Sequence, residues 1–242
     1  MADNPGVRTG ADVTVKALLF DVFGTVVDWR TSVADHCAAV LPESVDSYAF
    51  ADRWRSLYQP SMEQVRSGDR DFTRLDVLHL ESLRTVLSEY GIGLPEDTIA
   101  ALNLAWHRLT PWPDSVDGVS RLKSRFVVAP LSNGNISLLL DMSKNAGLPW
   151  DAILGAEPVR AYKPMPEAYL RTAEILDLRP DECMMVAAHN DDLQAARDCG
   201  FHTAFVCRPT EHGPHQSTNL AASSAWTFDT DSITSLAAAL NC

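Results

Sequence analysis

Short apolar runs recur along the chain and are separated by segments with the periodicity of amphipathic helices. Runs without polar alternation are typical of strands that are buried on both faces of a parallel sheet. Strands that alternate with helices predict right-handed βαβ units and a mainly parallel sheet covered on both faces. The predicted strands are KALLFD (16–21), RFVVAPLS (125–132), AILGA (152–156), CMMVAA (183–188) and TAFVC (203–207).

Three segments between these runs have a helical pattern: ISLLLDMSKNAG (136–147), PEAYLRTAEILD (166–177) and DDLQAARDCG (191–200). The first and the third end at a glycine, where a left-handed residue commonly terminates a helix. We therefore expect these helices to pack on the sheet and to end near Gly147 and Gly200.

Residues 30–110 interrupt the alternation of strands and helices. This region contains long amphipathic stretches without a convincing strand, and TPWPDS (110–115) marks its end because prolines terminate helices. A helical insertion placed after the first strand would lie over the carboxyl edge of the sheet and enclose a water-poor pocket. The predicted division is an α/β core domain (16–29 and 111–242), a helical cap domain (30–110) and a flexible N-terminal tail (1–15).

The composition and charge of the chain argue against some classes of protein. The chain has 242 residues, 46% of them hydrophobic, and a formal net charge of −12, which argues against a nucleic-acid surface. We find neither a signal peptide nor the ~18 consecutive apolar residues of a membrane helix. Five scattered cysteines without metal-ligand spacing predict free thiols in a reducing cytoplasm. The oligomeric state stays open, with a homodimer as one option.

Polar residues at the ends of the predicted strands are the candidates for chemistry. Asp21 directly follows an apolar strand, where burial of a carboxylate is costly. Open α/β sheets bind ligands at the carboxyl ends of their strands, so Asp21 is a candidate catalytic group. A role as a turn or helix cap is the alternative. The further candidates near strand ends are Thr25, Ser132, Asn133, Lys163 and Asp192.

Together these residues resemble the haloacid dehalogenase superfamily over residues 16–207. The resemblance consists of Asp21 with Thr25 four residues on, Ser-Asn after a second strand, Lys-Pro at 163–164, and Asp192 at the start of a helix. It implies an α/β fold with a doubly wound, Rossmann-like parallel sheet and a helical cap inserted after the first strand. It also implies that Asp21 attacks the substrate.

The chain departs from the magnesium-dependent phosphatases of that superfamily. Those enzymes have a second aspartate two residues after the nucleophile, where this chain has Phe23, and a metal-binding aspartate where it has Ala188. Magnesium prefers carboxylate oxygens. The pattern is more similar to the L-2-haloacid dehalogenases, which implies no metal and no cofactor. A phosphatase with a rebuilt metal site, with Asp191 as replacement ligand, and a catalytically silent member that binds an anion or a partner protein remain alternatives.

The resemblance implies a covalent mechanism on a short 2-haloacid, with haloacetates and fluoroacetate among the options. Asp21 would form an aspartyl ester and release halide, and water would then hydrolyse the ester to a 2-hydroxyacid. Lys163 would hold Asp21 ionised, and Asp192 would activate or orient the water. Thr25 and Ser132 would offer hydroxyl groups. The alternatives are an exposed lysine, stabilisation of a helix terminus by Asp192, and turn capping by the two hydroxyls.

Four residues are candidates for binding the substrate or halide by the same resemblance. Arg55, in FADRWRSLY, and Asn133 would bind the departing halide, and Phe23 would line the site. Tyr169 stands six residues after Lys163 and would either hydrogen-bond a carboxylate or pack in the core. An arginine on an amphipathic helix can also be solvated.

Two further residues are weaker candidates. His189 would donate a hydrogen bond to a halide or serve as a structural histidine. Trp112, in TPWPDS, is expected at the pocket mouth or the hinge. We read CRPTEHGP (207–214) as a surface loop without chemistry.

Overall fold

The computed structural model describes residues 8–9 and 13–242, and side chains from Thr14 onward. The predicted flexible tail (1–15) therefore lies mostly outside the described residues. Within it, strand β1 (Arg8–Thr9) pairs antiparallel with β2 (Val13–Thr14).

A five-stranded parallel sheet forms the core of the molecule. The remaining strands of the described chain are β3 (Ala17–Phe20), β4 (Val27–Asp28), β5 (Thr110–Pro111), β6 (Val127–Pro130), β7 (Cys183–Ala187), β8 (His202–Val206) and β9 (Phe228–Thr230). The sheet has the order β6-β3-β7-β8-β9, and every neighbouring pair is parallel. All residues of β3 are fully buried because this strand lies between two neighbours and is covered on both faces.

Helices cover the sheet and form the inserted segment. They are α1 (Trp29–Ala38), α2 (Ser47–Ser56), α3 (Tyr58–Arg66), α4 (Leu75–Glu89), α5 (Glu96–Asn103), α6 (Ser115–Lys123), α7 (Ile136–Ala146), α8 (Ala156–Val159), α9 (Pro166–Ile175), α10 (Asn190–Asp198) and α11 (Ile233–Ala239). Short 3₁₀ turns lie at Leu104–His107 and Pro180–Glu182. Among the described helices, none has both the length and the apolar character to cross a membrane.

The insertion leaves and re-enters the core at one place. Strands β4 and β5 pair antiparallel, with Val27 opposite Pro111, so the two connections of the segment α1–α5 lie side by side. This arrangement confirms the predicted fold class: a Rossmann-like parallel sheet with a helical insertion after its first strand. The domain limits at residues 29/30 and 110/111 remain a prediction.

One predicted strand is wrong, and one strand of the five-stranded sheet was missed. Residues 152–155 form a loop that leads into α8, and the Ala156 amide at the start of that helix donates to the Gly134 carbonyl instead of joining the sheet. Three apolar residues in a row do not distinguish a strand from a packed loop. Strand β9 escaped prediction because Phe228–Thr230 is short and only partly buried.

The predicted glycine terminus of α7 is confirmed. Gly147 has φ +70°, in the left-handed region, and a Cβ added there would meet nothing within 4 Å. Only backbone conformation therefore opposes a larger side chain at this exposed position.

We expect Gly147→Ala to lower the free energy of unfolding by about 1–2 kcal/mol because a Cβ is strained in the left-handed region. The matched control is Gly93→Ala, since Gly93 is equally open but does not have positive φ. Urea denaturation measures both. Equal stability of the two variants would contradict the backbone explanation.

Candidate active site

The predicted polar residues converge at the carboxyl edge of the sheet. A cavity of about 1020 Å³ opens there between the core and helices α2 and α3. Eight of the eleven predicted site residues line it: Asp21, Phe23, Arg55, Asn133, Lys163, Tyr169, His189 and Asp192. Thr25, Ser132 and Trp112 are not among the lining residues.

The centre of the site is a lysine between two buried aspartates. Lys163 Nζ donates to Asp21 Oδ1 at 3.0 Å and also to Asp192 Oδ2. The other Asp192 oxygen accepts from the Tyr169 hydroxyl at 2.6 Å. Asp21, Lys163 and Asp192 are 6%, 7% and 8% exposed, so this ion triad is screened from water. Of the two roles predicted for Tyr169, the structure thus shows the hydrogen bond to a carboxylate.

The charges of the triad depend on one another. Burial alone would raise the pKa of Asp21, but Lys163 and the hydrogen bonds from His189 and Thr25 hold it well below its usual range. Burial opposes the charge of Lys163, yet Asp192 and Asp21 raise its pKa. The pKa of Asp192 is raised by burial and by the negative charge of Asp21. Asp21 is therefore ionised, and Asp192 is the readier of the two to accept a proton.

Residues beneath the cavity hold the triad in place. Thr25 Oγ1 donates to Asp21 Oδ2 at 2.7 Å and accepts from the Ala188 amide at 2.9 Å, so it ties β3 to the end of β7. Asn133 Oδ1 accepts from the Lys163 amide at 2.7 Å. Ser132 Oγ accepts from the Gly134 amide at 3.2 Å, which is a turn-capping contact. The structure thus places Thr25 in contact with Asp21, and Ser132 in the turn below.

Arg55 enters the cavity from α2 within a ring of aromatic side chains. Its Cζ lies 3.8 Å from the centre of the Tyr58 ring, 5.3 Å from Trp29 and 5.6 Å from Phe23. Within the described chain, its Nη1 is buried without a hydrogen-bond partner. An unpaired buried donor is costly, so this nitrogen favours an anion or water beside it. Arg53, two residues away, instead forms an ion pair with Glu89.

Two residues behind Arg55 were not predicted as part of the site. His79 and Trp106 stack with ring centroids 4.4 Å apart, and neither His79 ring nitrogen nor Trp106 Nε1 has a partner among the described residues. Burial and the charge of Arg55 lower the pKa of His79 to about 3, so the imidazole is neutral. The sequence offers no signal for these contacts, because both residues resemble ordinary core positions of amphipathic helices.

His189 lies between two carboxylates. Its Nδ1 is 3.0 Å from Asp21 Oδ2, and its Nε2 is 2.9 Å from Glu211 Oε2. Glu211 is 1% exposed and belongs to the loop that we had read as a surface loop without chemistry. That interpretation was wrong for Glu211, because sequence does not reveal that the loop after β8 folds back over the sheet edge.

Trp112 lies where the insertion rejoins the core, directly after β5. Its Nε1 donates to the Gly24 carbonyl at 2.8 Å and its amide donates to the Val26 carbonyl at 3.0 Å. The segment through which the insertion re-enters the core is therefore hydrogen-bonded directly to the turn that follows Asp21.

Metal-ligand side chains also occur here. Ligand atoms of His189, Glu211 and His212 lie within 4.8 Å of one another. His189 and Glu211 already bind each other, and both oxygens of Asp192 are engaged by Lys163 and Tyr169. Asp191, the suggested replacement ligand for a metal, lines the cavity. Its Oδ1 accepts a hydrogen bond from the Asp192 amide at 3.0 Å. Among these groups, His189, Glu211 and Asp192 form ion pairs, whereas Asp191 is exposed.

We expect Lys163→Met to lower the free energy of unfolding by about 3–5 kcal/mol at neutral pH, because it removes the cation that lies between two buried carboxylates. Their pKa values would rise, so the native state would bind more protons than the unfolded state. Stability would then fall as the pH rises from about 5 to 8, more steeply than in the parent protein. Urea unfolding at several pH values measures this slope.

The control for this substitution is Lys144→Met, at an exposed position of α7. We expect its pH dependence to match that of the parent. An unchanged slope in Lys163→Met would mean that the ammonium does not set the charge of the two aspartates.

Comparisons with known proteins agree with this geometry. The structure superposes on a defluorinating L-2-haloacid dehalogenase with a TM-score of 0.92 and 54% identity, covering 95% of this chain and 96% of that chain. An (S)-2-haloacid dehalogenase of Xanthobacter autotrophicus is 30% identical over 196 residues, 80% of this chain and 76% of that protein. An L-2-haloacid dehalogenase structure from the same organism, with chloropropionic acid covalently bound, has a TM-score of 0.80 and 25% identity, covering 94% and 99% of the two chains.

The family model for haloacid dehalogenase-like hydrolases matches residues 15–200, the stretch that holds Asp21, Lys163 and Asp192. The chain belongs to the haloacid dehalogenase-like hydrolase family.

Proposed function

We propose that this protein hydrolyses short 2-haloacids to 2-hydroxyacids through an ester on Asp21, without a metal ion. The observation that carries the proposal is one cavity with an ionised, buried carboxylate at its floor and an arginine with an unpaired buried nitrogen in its wall. The carboxylate supplies a nucleophile, and the guanidinium supplies a binding site for the anion that leaves.

The hydrogen bonds of Asp21 indicate which oxygen attacks. Oδ2 accepts from Thr25 and from His189, whereas Oδ1 accepts from Lys163. Oδ1 therefore keeps more of its lone-pair density. This oxygen forms the bond to the halogen-bearing carbon from the side opposite the halogen. The electron pair of the carbon–halogen bond leaves with the halide. Attack from this side inverts a stereocentre.

A halide suits the chemistry of this cavity because it departs as a stable anion. Phe23, two residues after Asp21, has no proton to transfer to an alkoxide leaving group. Arg55 Cζ lies over the Tyr58 ring, 3.8 Å from its centre, and 5.6 Å from the centre of the Phe23 ring, so aromatic faces hold the guanidinium in this wall. An arginine in an apolar wall that shields it from water binds a halide more strongly than it would in open water, because the local dielectric constant is lower.

Hydrolysis of the ester completes the cycle. Water attacks Cγ of Asp21, and Asp192 accepts a proton from it. Support for this role comes from the raised pKa of Asp192 and its contact with Lys163, through which the proton can be returned. The covalently bound chloropropionic acid in the Xanthobacter structure supports the same route.

The decisive assay is halide release from chelator-treated protein with chloroacetate, 2-chloropropionate or fluoroacetate, followed with an ion electrode. Fluoroacetate is included because one similar structure is described as defluorinating. Release of halide without added metal supports the proposal. Phosphate release that requires magnesium, without halide release, would favour a phosphatase and overturn it.

For Asp21→Asn we expect halide release to fall at least about a thousandfold, because a carboxamide oxygen is a poor nucleophile. Asp198→Asn, at an exposed position of α10, is the control and should behave as the parent. In water labelled with heavy oxygen, mass spectrometry of the parent should find label in the peptide that contains Asp21 after many turnovers. Label confined to the product would exclude the ester.

Arg55→Ala should lower kcat/KM by a factor that corresponds to about 2–5 kcal/mol, because the departing anion loses a partly buried cation. Arg53→Ala removes an equal charge from the same helix but from an exposed ion pair, for which we expect less than about 1 kcal/mol. Steady-state kinetics of the two variants compare them directly. Similar losses would mean that net charge, and not the position of Arg55, matters.

A further inference from the structure

His189 faces an acceptor on each side, which determines its protonation state. Asp21 Oδ2 lies 3.0 Å from Nδ1, and both Glu211 oxygens lie within 3.1 Å of Nε2. An ionised carboxylate only accepts hydrogen bonds, so each ring nitrogen must carry a proton. The ring is therefore an imidazolium. It has no free lone pair with which to remove a proton from water.

The electrostatics agree with this assignment. Burial would lower the pKa of His189, but Glu211 and Asp21 raise it well above its ordinary value. Burial would raise the pKa of Glu211, but His189 lowers it. The other groups near the pair are the His212 ring, 3.6 Å from Glu211, and Arg55, whose charge further lowers the pKa of Glu211.

Glu211 is held by contacts that leave it little freedom. Trp29 Nε1 donates to Glu211 Oε1 at 3.0 Å, and this tryptophan begins α1. A Cβ added to Gly24 would lie 2.0 Å from Glu211 Oε1, so the carboxylate occupies the space that a side chain would fill in the turn after Asp21. The loop after β8 thus delivers a fixed carboxylate behind His189.

We infer that His189, positioned by Glu211, stabilises the negative charge that forms on Asp21 Oδ2 when water attacks the ester. This inference rests on the proposed function and assigns the pair to its second, hydrolytic half-reaction. Thr25 donates to the same oxygen at 2.7 Å, so one neutral and one charged donor converge on it. Two donors aimed at the oxygen where charge develops are the requirement of an oxyanion site.

The step balances as follows. The water oxygen bonds to Asp21 Cγ, the carbonyl electron pair moves to Oδ2, and one water proton passes to Asp192. When the carbonyl re-forms, the bond from Cγ to Oδ1 breaks, and the product alkoxide takes a proton from Lys163 Nζ. Lys163 recovers its proton from Asp192. The regenerated Asp21 carboxyl group then loses its proton to solvent.

This assignment replaces halide binding as the role of His189. Both ring nitrogens are already directed at carboxylates, and Arg55 is the cation that faces the apolar part of the cavity. His189 thus acts on the ester at Asp21 Oδ2 and not on the halide.

The first test separates the two half-reactions in single-turnover experiments with chloroacetate, with chloride and glycolate quantified over time. In His189→Gln we expect the chloride burst to stay within about tenfold of the parent rate while ester hydrolysis falls about 100-fold or more. The glutamine amide is uncharged and cannot face both carboxylates. The peptide containing Asp21 should then carry the ester mass.

His215→Gln, at an exposed position of the same loop, is the control and should hydrolyse the ester at the parent rate. Hydrolysis by His189→Gln at the parent rate overturns the inference and leaves the proposed function standing. Failure of the parent to release halide from any of the three haloacids overturns the proposed function and this inference with it.

The second variant, Glu211→Gln, tests the positioning role and keeps an acceptor oxygen for Trp29. In the ester Asp21 is neutral, so Glu211 is the carboxylate that keeps His189 charged. Without it, we expect ester hydrolysis to decline as the pH rises through the ordinary histidine range near 6.5, where the parent rate holds. A pH profile identical to that of the parent would show that Glu211 only fills space.

Discussion

The site depends on one ammonium group that lies between two buried carboxylates. Asp21 follows β3, Asp192 lies in the first turn of the helix after β7, and these strands are neighbours, so the fold brings the two carboxylates to the same place at the sheet edge. Two carboxylates this close cannot both stay ionised in a dry site unless a cation separates them. Lys163 supplies that cation from a different segment of the chain. The ionisation of Asp21 therefore depends both on the register of the sheet and on the loop that carries Lys163.

The helical insertion contributes what the sheet edge lacks. A parallel sheet presents its carboxyl ends, and here these bring mostly acidic side chains to one place. The cation that faces them, Arg55, comes from α2 and is fixed by aromatic side chains instead of by a salt bridge. Pairing of β4 with β5 anchors both ends of the insertion beside Asp21, so the distance between Arg55 and the carboxylate is set by the fold.

Sequence predicted the parts of this arrangement that follow from strand ends. Asp21 directly follows β3, and Asp192 lies in the first turn of the helix after β7, whereas Lys163 lies in the loop between α8 and α9 and was identified by the resemblance. The periodicity of the chain predicted the parallel sheet and the helical insertion. It did not predict Glu211, because a buried glutamate in a proline-containing loop has the same local pattern as an exposed one. The false strand at 152–156 and the missed strand β9 have a related cause: only tertiary pairing decides whether a three- or four-residue segment joins a sheet. Likewise, His79 and Trp106 belong to the site only because of the residues that pack against them in the fold.

In the proposed reaction, the charge of the cavity is conserved as it moves. Three of the carboxylates that line the cavity, Asp21, Asp192 and Glu211, lie near three cations, Lys163, His189 and Arg55. When Asp21 becomes an ester, its negative charge passes to the halide beside Arg55, so the net charge of the enclosed site does not change. No uncompensated charge has to be created in a low-dielectric interior, which would be costly. During hydrolysis, Asp192 takes a proton from water and negative charge forms on Oδ2, where it meets the donors that already bind this oxygen in the resting carboxylate. One set of fixed cations can therefore serve both half-reactions without rearrangement of the fold.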